Sequence, residues 1–175
     1  MDETFSICQL PPEWIRNLAD EVTYLRGRYL TSYAQCEFLL ADLTVRVDNR
    51  FRYALEKRIN ATKIMADSQG KLNAYANELL PLLEQLPRYT EKRHWLAHGF
   101  LEIAHTKAGN HQLKLRRYVE ENKELSLAVW NFNIDQLRDD VSSITIYGST
   151  FVDLCRRIYL ELDLESDVAQ GSPLV

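Results

Sequence analysis

The stretch Arg93-His94-Trp95-Leu96-Ala97-His98-Gly99-Phe100-Leu101-Glu102-Ile103-Ala104 decides the fold, because the period of the chain changes at Gly99. Up to His98 the pattern is that of a short helix. Thr90 is its expected N-cap, Glu91 suits its first turn and Gly99 ends it. From Phe100 the residues alternate as a strand does. Segments 112–119 and 125–131 alternate in the same way, with Ala108-Gly109-Asn110 and Glu121-Asn122-Lys123 as turns between them. The expectation is a three-stranded antiparallel meander over about residues 100–130.

Long helices are expected on both sides of this meander. Pro11-Pro12 opens the first. Its stripe of Trp14, Leu18, Val22, Leu25, Tyr29, Cys36, Leu40, Leu43 and Val47 recurs every three or four residues until a break at Asp48-Asn49. Gly27 weakens that helix without ending it. A second helix carries Phe51, Leu55, Ile59 and Met65 and stops near Ser68-Gln69-Gly70. A third carries Leu72, Tyr75, Leu79, Leu80, Leu83 and Leu86. Pro81 is expected to kink or split it and Pro87 to end it. After the meander, Asn133 and Gln136 form a capping box for a last helix. Its stripe runs through Ile134, Leu137, Val141, Ile144, Gly148, Phe151, Cys155, Ile158 and Leu162. Gly148 on that stripe implies a close approach by another helix. Residues 165–175 read as a flexible tail. The fold class is therefore mainly α: a helical bundle of long antiparallel helices, one domain over residues 1–175, with a small β-meander before the last helix.

Composition narrows the function classes. The chain has 175 residues, 46% hydrophobic and 26% charged, which is ordinary for a soluble globular domain. The first ten residues lack a basic segment and a long apolar run, so no signal peptide is expected. No apolar run reaches the roughly 18–20 residues of a membrane span. The three cysteines, Cys8, Cys36 and Cys155, are far apart and odd in number. Cys36 and Cys155 lie on apolar stripes, so buried free thiols in a reducing cytoplasm are expected.

The net charge of −4 hides an asymmetry. Between Arg88 and Tyr118 stand seven basic residues (Arg88, Lys92, Arg93, Lys107, Lys114, Arg116, Arg117) against Glu91 and Glu102, a net of +5. The remainder carries −9, and all four histidines fall in the basic window. If these charges form one surface, they can focus an anionic substrate; if not, they are a solvated face. Within the window, a guanidinium can clamp a phosphate and an imidazole can move protons near neutral pH. Those are the groups needed to cleave a phosphodiester that carries its own nucleophile, as RNA does with its 2′-OH.

Arg93-His94-x-x-x-His98 resembles the signature of the HEPN superfamily: an arginine, a polar residue, a few variable residues and a histidine. Many HEPN domains are helical RNases. The order of long helices, a late motif and a final long helix also resembles that family. The resemblance implies that His98 is the general acid/base, that Arg93 holds the phosphate and that His94 assists. The products would be a 2′,3′-cyclic phosphate and a 5′-OH, formed without a metal or other cofactor. It implies a toxin, phage-defence or stress effector in the cytoplasm, held in check by an antitoxin or regulatory partner. Five residues turn a helix by about 140°, so one helix does not point Arg93 and His98 the same way. The resemblance resolves this with a homodimer whose two motifs line one cleft. Many HEPN toxins have a nucleotidylated tyrosine two residues after the histidine. Here Phe100 lacks the hydroxyl, so a different control is implied.

Other readings of the same residues stand beside this one. The expected helix start at Thr90 places Arg93 near an anion-favouring N-terminus. Arg88, Lys92, Lys114, Arg116 and Arg117 are candidate RNA-binding residues, and the three on the meander read equally as a charged strand edge. Glu37, in an apolar part of the first helix, needs a partner. It either braces Arg93 or pairs with another arginine such as Arg52. His94, His98 and Glu102 share helical spacing for a metal site, but Gly99 interrupts them. Trp95 reads as packing, and His105 and His111 as solvent-facing. The alternative function is a catalytically silent HEPN-like helical module that binds protein.

Overall fold

The structure is a computed structural model that describes residues 13–67, 69–105, 111–121 and 123–164. Among them are four α-helices and one small sheet. α1 spans Glu13–Asp48, α2 Leu55–Met65, α3 Ala76–His98 and α4 Ile134–Glu161, with a single 3₁₀ turn at Asn73–Tyr75 before α3. β1 spans Phe100–His105, β2 His111–Glu121 and β3 Glu124–Phe132, in the order β1-β2-β3 with both pairings antiparallel. The protein is therefore mainly helical with a three-stranded meander before the last helix. The expected helix start at Pro11-Pro12, the turn at Ala108-Gly109-Asn110, Cys8 and the tail lie outside the described residues. So do the side chains of His105 and His111. Among the described residues no helix is long and apolar enough to cross a membrane.

The helical stripes bury as their spacing requires. Val22, Leu25, Tyr29, Cys36, Leu40, Leu43 and Val47 of α1 are buried, as are Leu137, Val141, Ile144, Phe151, Cys155 and Ile158 of α4. Trp14, in the first turn of α1, is exposed instead, because the end of a stripe has fewer neighbours to cover it. α1 ends at Asp48, and Asn49 takes a left-handed φ of 53° that breaks the helix. Phe51, expected in the second helix, lies in the loop before α2 and is exposed. At α4 the capping box forms. The Gln136 backbone N–H donates to Asn133 Oδ1 (2.8 Å), and the Asn133 N–H donates to Gln136 Oε1 (2.9 Å).

The largest correction concerns α3. It runs unbroken from Ala76 to His98 through Pro81 and Pro87, so no separate motif helix begins at Thr90. Each proline removes one helical hydrogen bond. Both rings sit on the exposed side, while Leu79, Leu82, Leu83 and Leu86 stay buried on the opposite side, and the carbonyl that Pro81 frees, that of exposed Asn77, is open to water. Buried area outweighs the two lost bonds, since each fully buried leucine contributes about 1.5–3 kcal/mol.

The chain divides into two compact units. One comprises α1 up to Thr31, α3 from Tyr89, the sheet and α4 up to Thr145; the other comprises the rest of those helices with α2. In the second unit a Cβ placed on Gly148 would sit 3.6 Å from Cys36 Sγ and 3.9 Å from the Ser32 carbonyl. α1 does approach α4 there, at a distance that would still admit a methyl group.

Candidate functional site

The motif occupies the last turns of α3, in the first unit. Leu96 is fully buried and fixes the rotation of the helix. With 100° per residue, His94 and His98 then fall on one exposed face. Their ring centroids are 6.3 Å apart with planes tilted by 47°. Arg93 is half-buried on a different side of the helix. Within one chain the fold therefore brings the two imidazoles together rather than Arg93 and His98.

Because α3 is continuous, Arg93 lies near its C-terminus. The anion-favouring N-terminus expected around Thr90 does not exist, and the C-terminal end of a helix favours cations. Arg26 supplies that cation. Its guanidinium reaches from α1 to donate to the Leu96 carbonyl, from Nε at 3.0 Å and Nη2 at 2.5 Å, and to the Gly99 carbonyl from Nη2 at 3.4 Å. Burial pushes its pKa below the ordinary arginine value. Sequence reasoning missed Arg26. The available signal was a cation between Val22, Leu25 and Tyr29, on the buried side of α1.

Gly99 joins the helix to the sheet. Its N–H donates to the Trp95 carbonyl at 2.8 Å. A Cβ there would lie 2.6 Å from the same oxygen and 2.9 Å from Leu115 Cδ2, so only glycine fits. The meander turns its inner face to this junction. Leu113, Leu115 and Phe132 are buried, Trp130 stacks on Phe132 (4.7 Å between centroids), and Trp95 lies 6.2 Å from Trp130. Arg117 sits over the Trp95 ring, 4.4 Å from its centroid. Trp95 is thus a packing residue that seats the end of α3.

Three of the seven cations of the basic window are paired with carboxylates. Lys92 is bonded to Asp140 of α4, an acid from outside the basic window. Glu102 takes Arg116 at 2.6 Å and Lys114 at 3.8 Å. Arg117 is turned to Trp95. Arg88 is exposed but belongs to the other unit. In that unit Glu37 pairs with the buried Arg58 at 3.2 Å, and Arg52 pairs with Asp48. Glu37 is thus engaged by Arg58 and not by Arg52. Among the described residues no group of three or more His, Cys, Asp or Glu side chains is placed to hold a metal ion. Glu102 stands on β1 beyond the helix end, bonded to Arg116.

Comparison of the chain with protein-family models, curated proteins and solved structures returns no match.

Proposed function

We propose that this protein is a metal-independent endoribonuclease of HEPN type, acting as a homodimer in the cytoplasm as a toxin, defence or stress effector under a partner's control. The observation that carries the reading is the pair of exposed imidazoles, His94 and His98, 6.3 Å apart on one face of α3. Two imidazoles on one face can divide proton removal and proton donation. In this reading His98 takes the proton from the 2′-OH, which attacks the adjacent phosphorus. The 5′-oxygen leaves with a proton, aided by His94, and a 2′,3′-cyclic phosphate forms. Arg93 holds the phosphate and stabilises its added charge.

A second reading has its own observation. Lys92, Lys114 and Arg116 are committed to carboxylates and Arg117 to Trp95, which suits a silent helical module that binds protein. One experiment separates the two. Wild type, His98→Ala and Arg93→Ala are incubated with total RNA in EDTA. Cleavage that both variants lose supports the nuclease. Equal cleavage by all three sinks the site, and no cleavage by the wild type either with or without EDTA favours the module. Cleavage abolished by EDTA overturns the metal-independent mechanism.

A further inference from the structure

The outer face of the meander carries exposed apolar side chains among charged and polar ones. Phe100, Tyr118, Leu125, Leu127 and Val129 all point to it and are 47–75% exposed. On the inner side Leu113 and Leu115 of β2 and Phe132 of β3 are buried and anchor the end of the sheet nearest α3. Tyr118, Leu125, Leu127 and Val129 adjoin one another, and an exposed apolar cluster of this kind marks an interaction site. Its charges are Lys114 and Arg116 against Glu102 and Glu120, a net of zero. Such a face creates no field for a nucleic acid, which needs net positive charge.

The order of residues along β2 identifies the occupant. On the outer face β2 reads Lys114, Arg116, Tyr118, Glu120. This order is complementary to itself when reversed. A two-fold axis crossing the strands between Arg116 and Tyr118 stacks each strand on its own copy in the opposite direction. Lys114, only 3.8 Å from Glu102, then meets the partner's Glu120, and Arg116, still bonded to Glu102, lies on the ring of the partner's Tyr118. On β3, Val129 pairs with Arg116 and Leu127 with Tyr118, so the same axis sets Val129 on the partner's Leu127. Opposite charges meet, a cation meets an aromatic face and aliphatic groups meet each other. We propose that this face is the interface with a second copy of the chain, sheet on sheet and antiparallel, at the usual spacing of about 10 Å.

The proposal deepens the homodimer reading by naming its surface. Phe100 is in register with Arg116, so the axis crosses the line of β1 beside Gly99. The interface thus runs beside the strand that directly follows His98.

Sedimentation velocity of the full chain tests the interface without any activity assay. Wild type is expected to be a dimer. Lys114→Glu and Glu120→Lys each set like charges together and raise the dissociation constant at least about tenfold. The double variant Lys114→Glu/Glu120→Lys restores opposite charges and the dimer. Leu127→Glu gives a monomer with a wild-type circular dichroism spectrum. A monomeric wild type, a dimer indifferent to Leu127→Glu, or a double variant no better than either single overturns the proposal. A wild-type dimer that obeys the swap yet cleaves no RNA supports the interface and counts against the nuclease alone.

Discussion

Arg26 closes the end of α3 by holding the Leu96 carbonyl with two guanidinium nitrogens, at 3.0 and 2.5 Å. Two residues later stands His98, so a side chain seventy positions upstream in sequence helps fix the helix end that presents the candidate site. Arg26→Ala leaves carbonyls of Leu96 and Gly99 without this donor in a half-buried place. The expected loss is about 1–3 kcal/mol, read from urea denaturation. Arg26→Lys keeps the charge but not the fork, and should recover only part of the loss. An unchanged midpoint for Arg26→Ala would show that the contact contributes nothing.

Gly99 should tolerate no side chain. Gly99→Ala puts a methyl 2.6 Å from the Trp95 carbonyl oxygen, a backbone atom that cannot move alone. Overpacking of this kind costs about 1–3 kcal/mol. Thermal denaturation should show a lower Tm, while Gly148→Ala, whose added methyl meets neighbours at ordinary contact distance, should lie close to wild type.

The capping box at α4 predicts a smaller and separable effect. Asn133→Ala removes the acceptor for the Gln136 N–H and should cost about 1 kcal/mol. Asn133→Asp keeps an acceptor at the same place and should retain stability, as measured by the same denaturation curves.

The buried thiols should be silent. Burial pushes Cys36 up to about 11 and Cys155 up to about 12, so the thiolate is scarce at neutral pH. Native protein treated with a thiol reagent at pH 8 should leave both unmodified, and both should react once urea unfolds the chain. The linkage has a definite sign. Their folded pKa lies above the ordinary value of 9.0, so the stability they contribute is complete below pH 9 and is lost as pH rises through about 11–12. Tyr75, pushed up to about 12 by burial and by its hydrogen bond to Glu161, acts in the same direction from its ordinary value of 10.0. Stability measured against pH should therefore fall above pH 9, and Cys36→Ala/Cys155→Ala should blunt the first part of that fall.

The change of period at Gly99 was legible, because alternation in β1, β2 and β3 and the three- to four-residue stripe of α1 and α4 are properties of neighbouring residues. The capping box at Asn133 and Gln136 was legible for the same reason: its bonds span three residues. The candidate site was legible as residue types, Arg93, His94 and His98, within seven positions. The sequence by itself therefore determined the first and last helices, the three strands, their order and the chemistry available at the motif.

Only the tertiary structure decided how these parts are used. Local propensity would stop the third helix at Pro87, but a row of buried leucines carries α3 through to His98. That turns the surroundings of Arg93 from a helix N-terminus to a C-terminus. Arg26 met Leu96 across α1, Asp140 took Lys92, Glu102 took Arg116, and Arg58 took Glu37. Each of these pairings joins residues between 14 and 70 positions apart. No local pattern encodes them. A charge buried or half-buried by packing must find whichever opposite group the fold brings within reach, and that is settled only when the helices and the sheet have come together.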